Sequence, residues 1–104
     1  MSLSRALLSP EELQAALAQL PGWELKDQTL IREYELPDFA TAIALVTIIA
    51  TLAEKVDHHP DLYLHSWNRL RVLLTTHSAG GITSYDTHLA QQIEQYARAL
   101  SGAR

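Results

Sequence analysis

The sequence predicts an α+β domain in the order α-β-β-α-β-β-α, a four-stranded antiparallel sheet with three helices on one face. Three observations carry this. Apolar residues recur at helical spacing in three separate segments. Two pairs of strand-like segments lie between those helices, with apolar and polar residues alternating. Turn signals separate neighbouring segments, and no repeat, linker or low-complexity stretch interrupts them. The 104 residues read as a single domain spanning 1–104, enough for one modest core. Apolar residues make up 47% and charged residues 19%, a globular balance rather than a disordered one.

The first helix opens at "SPEEL". Ser9 can cap it, Pro10 suits the first helical position, and Glu12 completes a capping box. Leu13, Ala16, Leu17 and Leu20 form its apolar face, and Pro21-Gly22 ends it. Trp23 to Lys26 and Leu30 to Leu36 then read as a hairpin across the polar turn "KDQT". Tyr34 and Leu36 share one face of the second strand, Glu33 and Glu35 the other.

"LPDFATAIALVTIIATLAEKVDHH" is the main helix, with Pro37 and Asp38 at its start and His58-His59 at its carboxyl end. β-branched residues are common in it, but its unbroken length favours helix over strand. Phe39, Ile43, Val46, Ala50 and Ala53 make one apolar stripe, and Leu45, Ile48, Ile49 and Leu52 make another. A helix apolar nearly all round must be covered on both sides, and so small a domain has one sheet to offer. The second stripe therefore predicts a partner subunit, and so a homo-oligomer. The alternative is a helix enclosed by its own monomer.

Asp61 to His65 and Trp67 to Thr76 read as the second strand pair, with Leu70, Val72 and Leu74 alternating against Arg69, Arg71 and Leu73. "HSAGG" is a loop. Thr83 and Asp86 form another capping box and open the last helix, whose buried stripe is Leu89, Ala90, Ile93, Ala97 and Leu100. "SGAR" is a loose tail.

Composition excludes several function classes. The formal charge of −4, with only Arg69 and Arg71 close together, argues against nucleic acid as a partner. The absence of cysteine removes disulfides, thiolate metal sites and a cysteine nucleophile, and fits a cytoplasmic protein. The opening "MSLSRALLSPEEL" has too short an apolar run for a secretory signal, and the apolar run 39–53 is shorter than the ~20 residues of a membrane span. The expectation is a soluble protein with no membrane partner.

The chemistry-bearing residues gather at the ends of these elements. "EKVDHHP" places His58 and His59 where the helix macrodipole favours positive charge, with Glu54 and Asp57 beside them. His77 lies where the last strand ends, and Asp86 in the first turn of the last helix. Histidines facing one pocket can give and take protons near neutral pH. Taken singly, each residue has a plainer role: Asp86 as a capping residue, Asp57 and Glu54 as solvated charges, His77 as a strand-end histidine, and His58-His59 as a helix end stopped by Pro60. His58, His59, His77 and Asp86 are also a conceivable metal ligand set, although adjacent residues on a helix point about 100° apart and no HExxH spacing exists. There is no G-x-S-x-G elbow and no phosphate-cradling glycine pattern.

"AEKVDHHPD" followed by "WNRLRVLLTTHSAGGITSYD" resembles the pterin-4a-carbinolamine dehydratase family. The family pattern falls on Glu54, His58, His59, Pro60, Trp67, His77 and Asp86. Six residues separate Pro60 from Trp67, nine separate Trp67 from His77, and eight separate His77 from Asp86. The likeness extends from about Ser9 to Leu100, and the only departure is that "DLYLHSW" takes the longer of two spacings. The resemblance implies dehydration of 4a-hydroxytetrahydropterin to quinonoid dihydropterin plus water, in tetrahydrobiopterin recycling, with neither metal nor cofactor. It implies His58, His59, His77 and Asp86 as catalytic residues and Glu54, Asp57, Pro60, Trp67 and Thr76 as substrate contacts. In that picture His58 and His77 transfer the protons, His59 orients the ring and Asp86 fixes an imidazole. The family implies a homodimer or homotetramer. A non-catalytic dimerisation or assembly cofactor is the second function class, and three retained pocket histidines argue for the enzyme over it.

Overall fold

Local signals and observed elements coincide at every helix start. The computed structural model describes residues 2–101, and the end of the expected tail, 102–104, lies outside the described residues. In chain order the elements are α1 (Pro10–Ala18), β1 (Glu24–Lys26), β2 (Thr29–Glu35), α2 (Phe39–Val56), β3 (Asp61–His65), β4 (Arg69–Leu74) and α3 (Ser84–Leu100). Ser9 Oγ accepts from the Glu12 N–H at 3.1 Å, and Glu12 Oε1 accepts from the Ser9 N–H at 2.8 Å, a complete capping box. Asp38 Oδ1 accepts from the Thr41 N–H at 2.7 Å and starts α2. Hydrogen bonds from Thr41 hold the Asp38 carboxyl below its ordinary value.

α1 stops at Ala18, earlier than Pro21-Gly22, and the chain then turns through Gly22 at φ +92°. A Cβ there would meet the Arg32 guanidinium at 2.7 Å, which that long side chain can relieve by moving, so it is the positive φ that calls for glycine. Asp27-Gln28 closes the first hairpin with both residues at positive φ, the signature of a two-residue type I′ turn whose twist matches its strands. Ser66, Trp67 and Asn68 close the second as a three-residue loop, the first two at positive φ.

The sheet order is β1-β2-β4-β3, antiparallel throughout. Tyr34 faces Leu70 and Leu30 faces Leu74 across the central pair. Leu30, Tyr34, Leu70, Val72 and Leu74 turn inward and meet Ala42, Leu45 and Ile49 of α2 and Leu89 and Ile93 of α3. Glu94 of α3 adds a polar tie, accepting from the Trp23 indole at 3.0 Å and the Tyr34 hydroxyl at 2.6 Å. Burial, followed by that hydrogen bond and the carboxylate charge, pushes the Tyr34 hydroxyl well above the ordinary tyrosine range.

The opposite sheet face carries Glu33, Glu35, Arg69 and Arg71. Glu33 Oε1 accepts from Arg71 Nε at 3.0 Å and lies 3.3 Å from His65 Nε2. Burial pushes the Glu33 carboxyl up, but the hydrogen bonds and charges of His65 and Arg71 outweigh it and hold the group below 4.5. A depressed carboxylate adds stability that is present above its unfolded pKa and lost as pH falls through the folded one. Glu33→Gln is therefore expected to flatten the acid side of a urea-midpoint-against-pH curve below about pH 4.5. An unchanged acid limb would contradict it.

α2 differs from expectation at its end, and its two apolar stripes are covered unequally. Ala42, Leu45, Ile49, Leu52 and Ala53 are buried, whereas Phe39 is 53% and Ile43 42% exposed. The Leu45–Leu52 stripe is thus the core stripe, and the stripe that begins at Phe39 turns largely outward. With 18 residues α2 is shorter than the stretch through His59 that the sequence reads as helix, and it is long and apolar enough to cross a membrane. Its buried stripe instead docks it on the sheet. The helix ends at Val56, so His58 and His59 lie beyond it rather than on it.

Candidate active site

The end of α2 is what separates the two adjacent histidines. Asp57 takes the left-handed conformation (φ 51°, ψ 49°), the place glycine usually fills in a Schellman motif. The Asp57 N–H donates to the Glu54 carbonyl and the His58 N–H to the Ala53 carbonyl, closing the helix. Past this reversal His58 is turned inward and His59 outward.

His58 is 6% exposed and lies 2.6 Å, Nε2 to Oδ1, from the fully buried Asp86. Asp86 uses its other oxygen twice. Oδ2 accepts from the Thr83 N–H at 2.9 Å and from the Thr76 hydroxyl at 2.7 Å. Since the Thr76 proton goes to Asp86, the Thr83 hydroxyl must donate to Thr76 Oγ1 at 2.8 Å. Asp86 is therefore both the capping residue of α3 and the partner of His58, one carboxylate oxygen for each role. Pairing of Thr76 with Gly81, with the Thr76 N–H donating to the Gly81 carbonyl at 2.9 Å, folds the loop so that Thr76 reaches Thr83.

The second ring nitrogen of His58 faces Arg5, whose Nη1 is 3.2 Å from Nδ1. A guanidinium only donates, so Nδ1 presents its lone pair and the ring proton sits on Nε2, donated to Asp86. Both nitrogens of His58 are committed. His59 differs: Nε2 is 2.6 Å from Glu54 Oε1, the two side chains are 56% and 75% exposed, and Nδ1 has no partner among the described residues. His77 opens a 3-10 turn, His77–Ala79, where the sequence reads as loop. It is exposed, makes no side-chain hydrogen bond among the described residues, and follows directly on Thr76 of the buried network.

The structure thus joins His58, Asp86 and Thr76 in one buried network and Glu54 with His59 in an exposed pair beside it. Asp57 contributes its carbonyl to Arg5, and Pro60 leads the chain into β3. Trp67 is not brought to this place. β3 and β4 run antiparallel away from Pro60, and Trp67 sits, 62% exposed, at the far hairpin turn. At ~3.3 Å per residue that is about 20 Å from the histidines. Within one chain Trp67 is therefore no neighbour of the site. Sequence reasoning missed Arg5 and Tyr85. Tyr85 adjoins Asp86 and was findable from that; Arg5 lies in a stretch with no period, 53 positions from its contact.

His59 and His77 are both exposed to solvent. A concavity lined by Gly22, Glu24, Ile31, Arg32, Arg71 and Leu73 lies on the solvent face of the sheet and contains neither. Among the described residues no group of three histidine, aspartate or glutamate side chains is arranged to hold a metal ion.

The family model for Pterin 4 alpha carbinolamine dehydratase matches residues 6–96. A Chloroflexus aurantiacus protein, provisionally named as a pterin-4-alpha-carbinolamine dehydratase, is 46% identical over 88 residues, 85% of this chain and 94% of that one. A Thermosynechococcus vestitus protein with the same provisional name is 46% identical over 90 residues, 86% and 94% of the two chains. The crystal structure of a transcriptional coactivator/pterin dehydratase from Brucella melitensis superimposes with a TM-score of 0.81 at 36% identity, covering 86% of this chain and 97% of that one. A pterin dehydratase-like RuBisCO assembly factor of the alpha-carboxysome shares the fold, with a TM-score of 0.59 at 17% identity over 72% of this chain and 86% of that one. With order, sheet topology and matched span in agreement, the chain belongs to the pterin-4-alpha-carbinolamine dehydratase family.

Proposed function

We propose that the protein dehydrates 4a-hydroxytetrahydrobiopterin to quinonoid dihydropterin and water, in tetrahydrobiopterin recycling, by metal-free histidine acid/base catalysis. The observation that carries this reading is the exposed His59–Glu54 pair next to the buried His58–Asp86–Thr76 network, with His77 one residue beyond Thr76. In the reaction the C4a–O bond breaks as an acid protonates the departing hydroxyl. A base takes the N5 proton, and the N5–H electron pair forms the C4a=N5 bond. Imidazoles near neutral pH suit both transfers.

Because both nitrogens of His58 are engaged, the transfers fall to His59 and His77, and His58 with Asp86 positions them. This exchanges the roles that the family resemblance alone suggested for His58 and His59. Glu54 orients His59. Arg5 puts a cation against the one ring nitrogen of His58 not given to Asp86, which supports a metal-free site.

The exposed Phe39 and Ile43 support a homodimer or homotetramer in which a second chain covers α2 and completes the pterin pocket. Trp67 would then contact substrate from a partner chain or not at all. Mass in solution at several concentrations is expected to exceed that of one chain; a monomer throughout would contradict it. The same apolar face favours one second reading, a non-catalytic dimerisation or assembly cofactor. A cytoplasmic location is part of the proposal.

The test is the dehydration rate of 4a-hydroxytetrahydropterin with purified protein, with and without EDTA, beside His77→Ala. Acceleration that survives EDTA and falls in the variant supports the enzyme. No acceleration would move the cofactor reading to first place.

A further inference from the structure

We infer that Arg5, in the segment ahead of α1, is a positioning residue that holds His58 in one tautomer and thereby holds the histidine site in register. The inference deepens the dehydratase reading and rests on it for its catalytic part. Arg5 lies one residue before the span matched by the family model.

Three contacts fix the guanidinium. Nη1 is 3.2 Å from His58 Nδ1, Nη2 donates to the Asp57 carbonyl at 3.0 Å, and Cζ lies 4.0 Å from the centre of the Tyr85 ring. The last two place a cation on the C-terminal carbonyls of α2 and over an aromatic face, both favourable sites for positive charge. The arm that carries Arg5 is itself held. The Ser4 N–H donates to Ser84 Oγ at 2.8 Å, Ser84 Oγ donates back to the Ser4 carbonyl at 3.2 Å, and the Leu8 N–H donates to the Ile82 carbonyl at 3.0 Å. The arm thus ties the start of α3 to the end of α2, the two elements that supply Asp86 and His58.

His58 is enclosed on every side that bears charge or polarity. Asp86 and Tyr85 face it from α3, Arg5 from the arm, and Thr76 stands behind Asp86. Arg5 alone dictates what Nδ1 does. With a donor-only group there, Nδ1 keeps its lone pair, and Nε2–H points at Asp86. Without Arg5, water reaches Nδ1 and can donate or accept, so the ring is free to carry a proton there or to flip. His59 is the next residue along the backbone, so a loosened His58 loosens the proposed proton-transfer group.

The experiment uses the full chain, Arg5→Ala and Arg5→Lys, each labelled with 15N in the histidine rings. In the parent, long-range proton–nitrogen spectra are expected to show His58 with a protonated Nε2 and a bare Nδ1. In Arg5→Ala the Nδ1 signal should move towards the protonated position, and in Arg5→Lys it should return part of the way. With the pterin carbinolamine, kcat of Arg5→Ala should fall on the order of tenfold with KM unchanged, less than the roughly 10²–10⁴ that a proton-transfer group itself contributes, because Arg5 acts through His58. Identical His58 nitrogen signals in parent and Arg5→Ala would overturn the inference. Altered signals with an unchanged kcat would overturn its link to catalysis. A parent without dehydration activity would overturn the dehydratase reading instead, and the nitrogen spectra would still decide the role of Arg5.

Discussion

A His59→Ala variant is expected to melt at the parent's temperature and to lose roughly 10²–10⁴ of the dehydration rate. The separation follows from where the side chain lies. The His59 side chain is 56% exposed and that of its partner Glu54 75%, so the pair is largely solvated. Exposed ion pairs typically contribute about 0–1 kcal/mol to folding. The rate is another matter, because His59 is the member of the adjacent pair with a free ring nitrogen. Glu54→Gln should fall between parent and variant, since an amide oxygen still accepts from the ring but more weakly than a carboxylate. The measurement is stopped-flow dehydration beside a thermal melt on the same preparations. A His59→Ala rate equal to the parent's would return the proton transfers to His58.

Asp86→Ala is expected to cost about 3–5 kcal/mol of folding stability, because several buried donors lose one shared acceptor. Three donors lose their acceptor at once: His58 Nε2–H, the Thr76 hydroxyl and the Thr83 N–H. A lost helix cap alone is worth about 1 kcal/mol. Each buried donor left unpaired costs about 1–3 kcal/mol, and the three losses do not add in full because they share one carboxylate. Against a total of about 5–15 kcal/mol this is a large share. Asp86→Asn should cost less, since its amide oxygen still accepts, while its NH₂ is set against one of the donors. Urea unfolding checks both, with the slope held against the parent's to show that the same surface unfolds. A loss below about 1 kcal/mol for Asp86→Ala would mean that water replaces the carboxylate, and that Asp86 does not hold His58.

The two variants probe parts of the site that were unequally legible. The capping box of Thr83 and Asp86 was readable because three-residue spacing is local chemistry, and so was the nearness of Glu54 to the histidines. The division of labour between His58 and His59 was not. A helix drawn through to His59 gives adjacent residues a fixed angular offset and no reason to differ. What separates them is one left-handed residue, Asp57, and an aspartate is not the residue that usually announces such a reversal. Trp67 fitted the family spacing, yet spacing along a chain says nothing about which end of a hairpin a residue occupies. Arg5 carried no local signal, because its partners are 52, 53 and 80 positions away.

The sequence by itself determined the element order, the inward faces of the strands, the three helix starts and the residue types from which a histidine site is built. These depend on periodicity, capping and turn chemistry, which act over a few residues. Only the tertiary structure decided which of the two apolar stripes of α2 meets the core, that Asp86 serves helix and histidine at once, and that one histidine is sealed while its neighbour faces solvent. Those outcomes depend on burial and on hydrogen-bond partners far apart in the chain, and a donor or an apolar face acquires its partner only when the chain has closed around it.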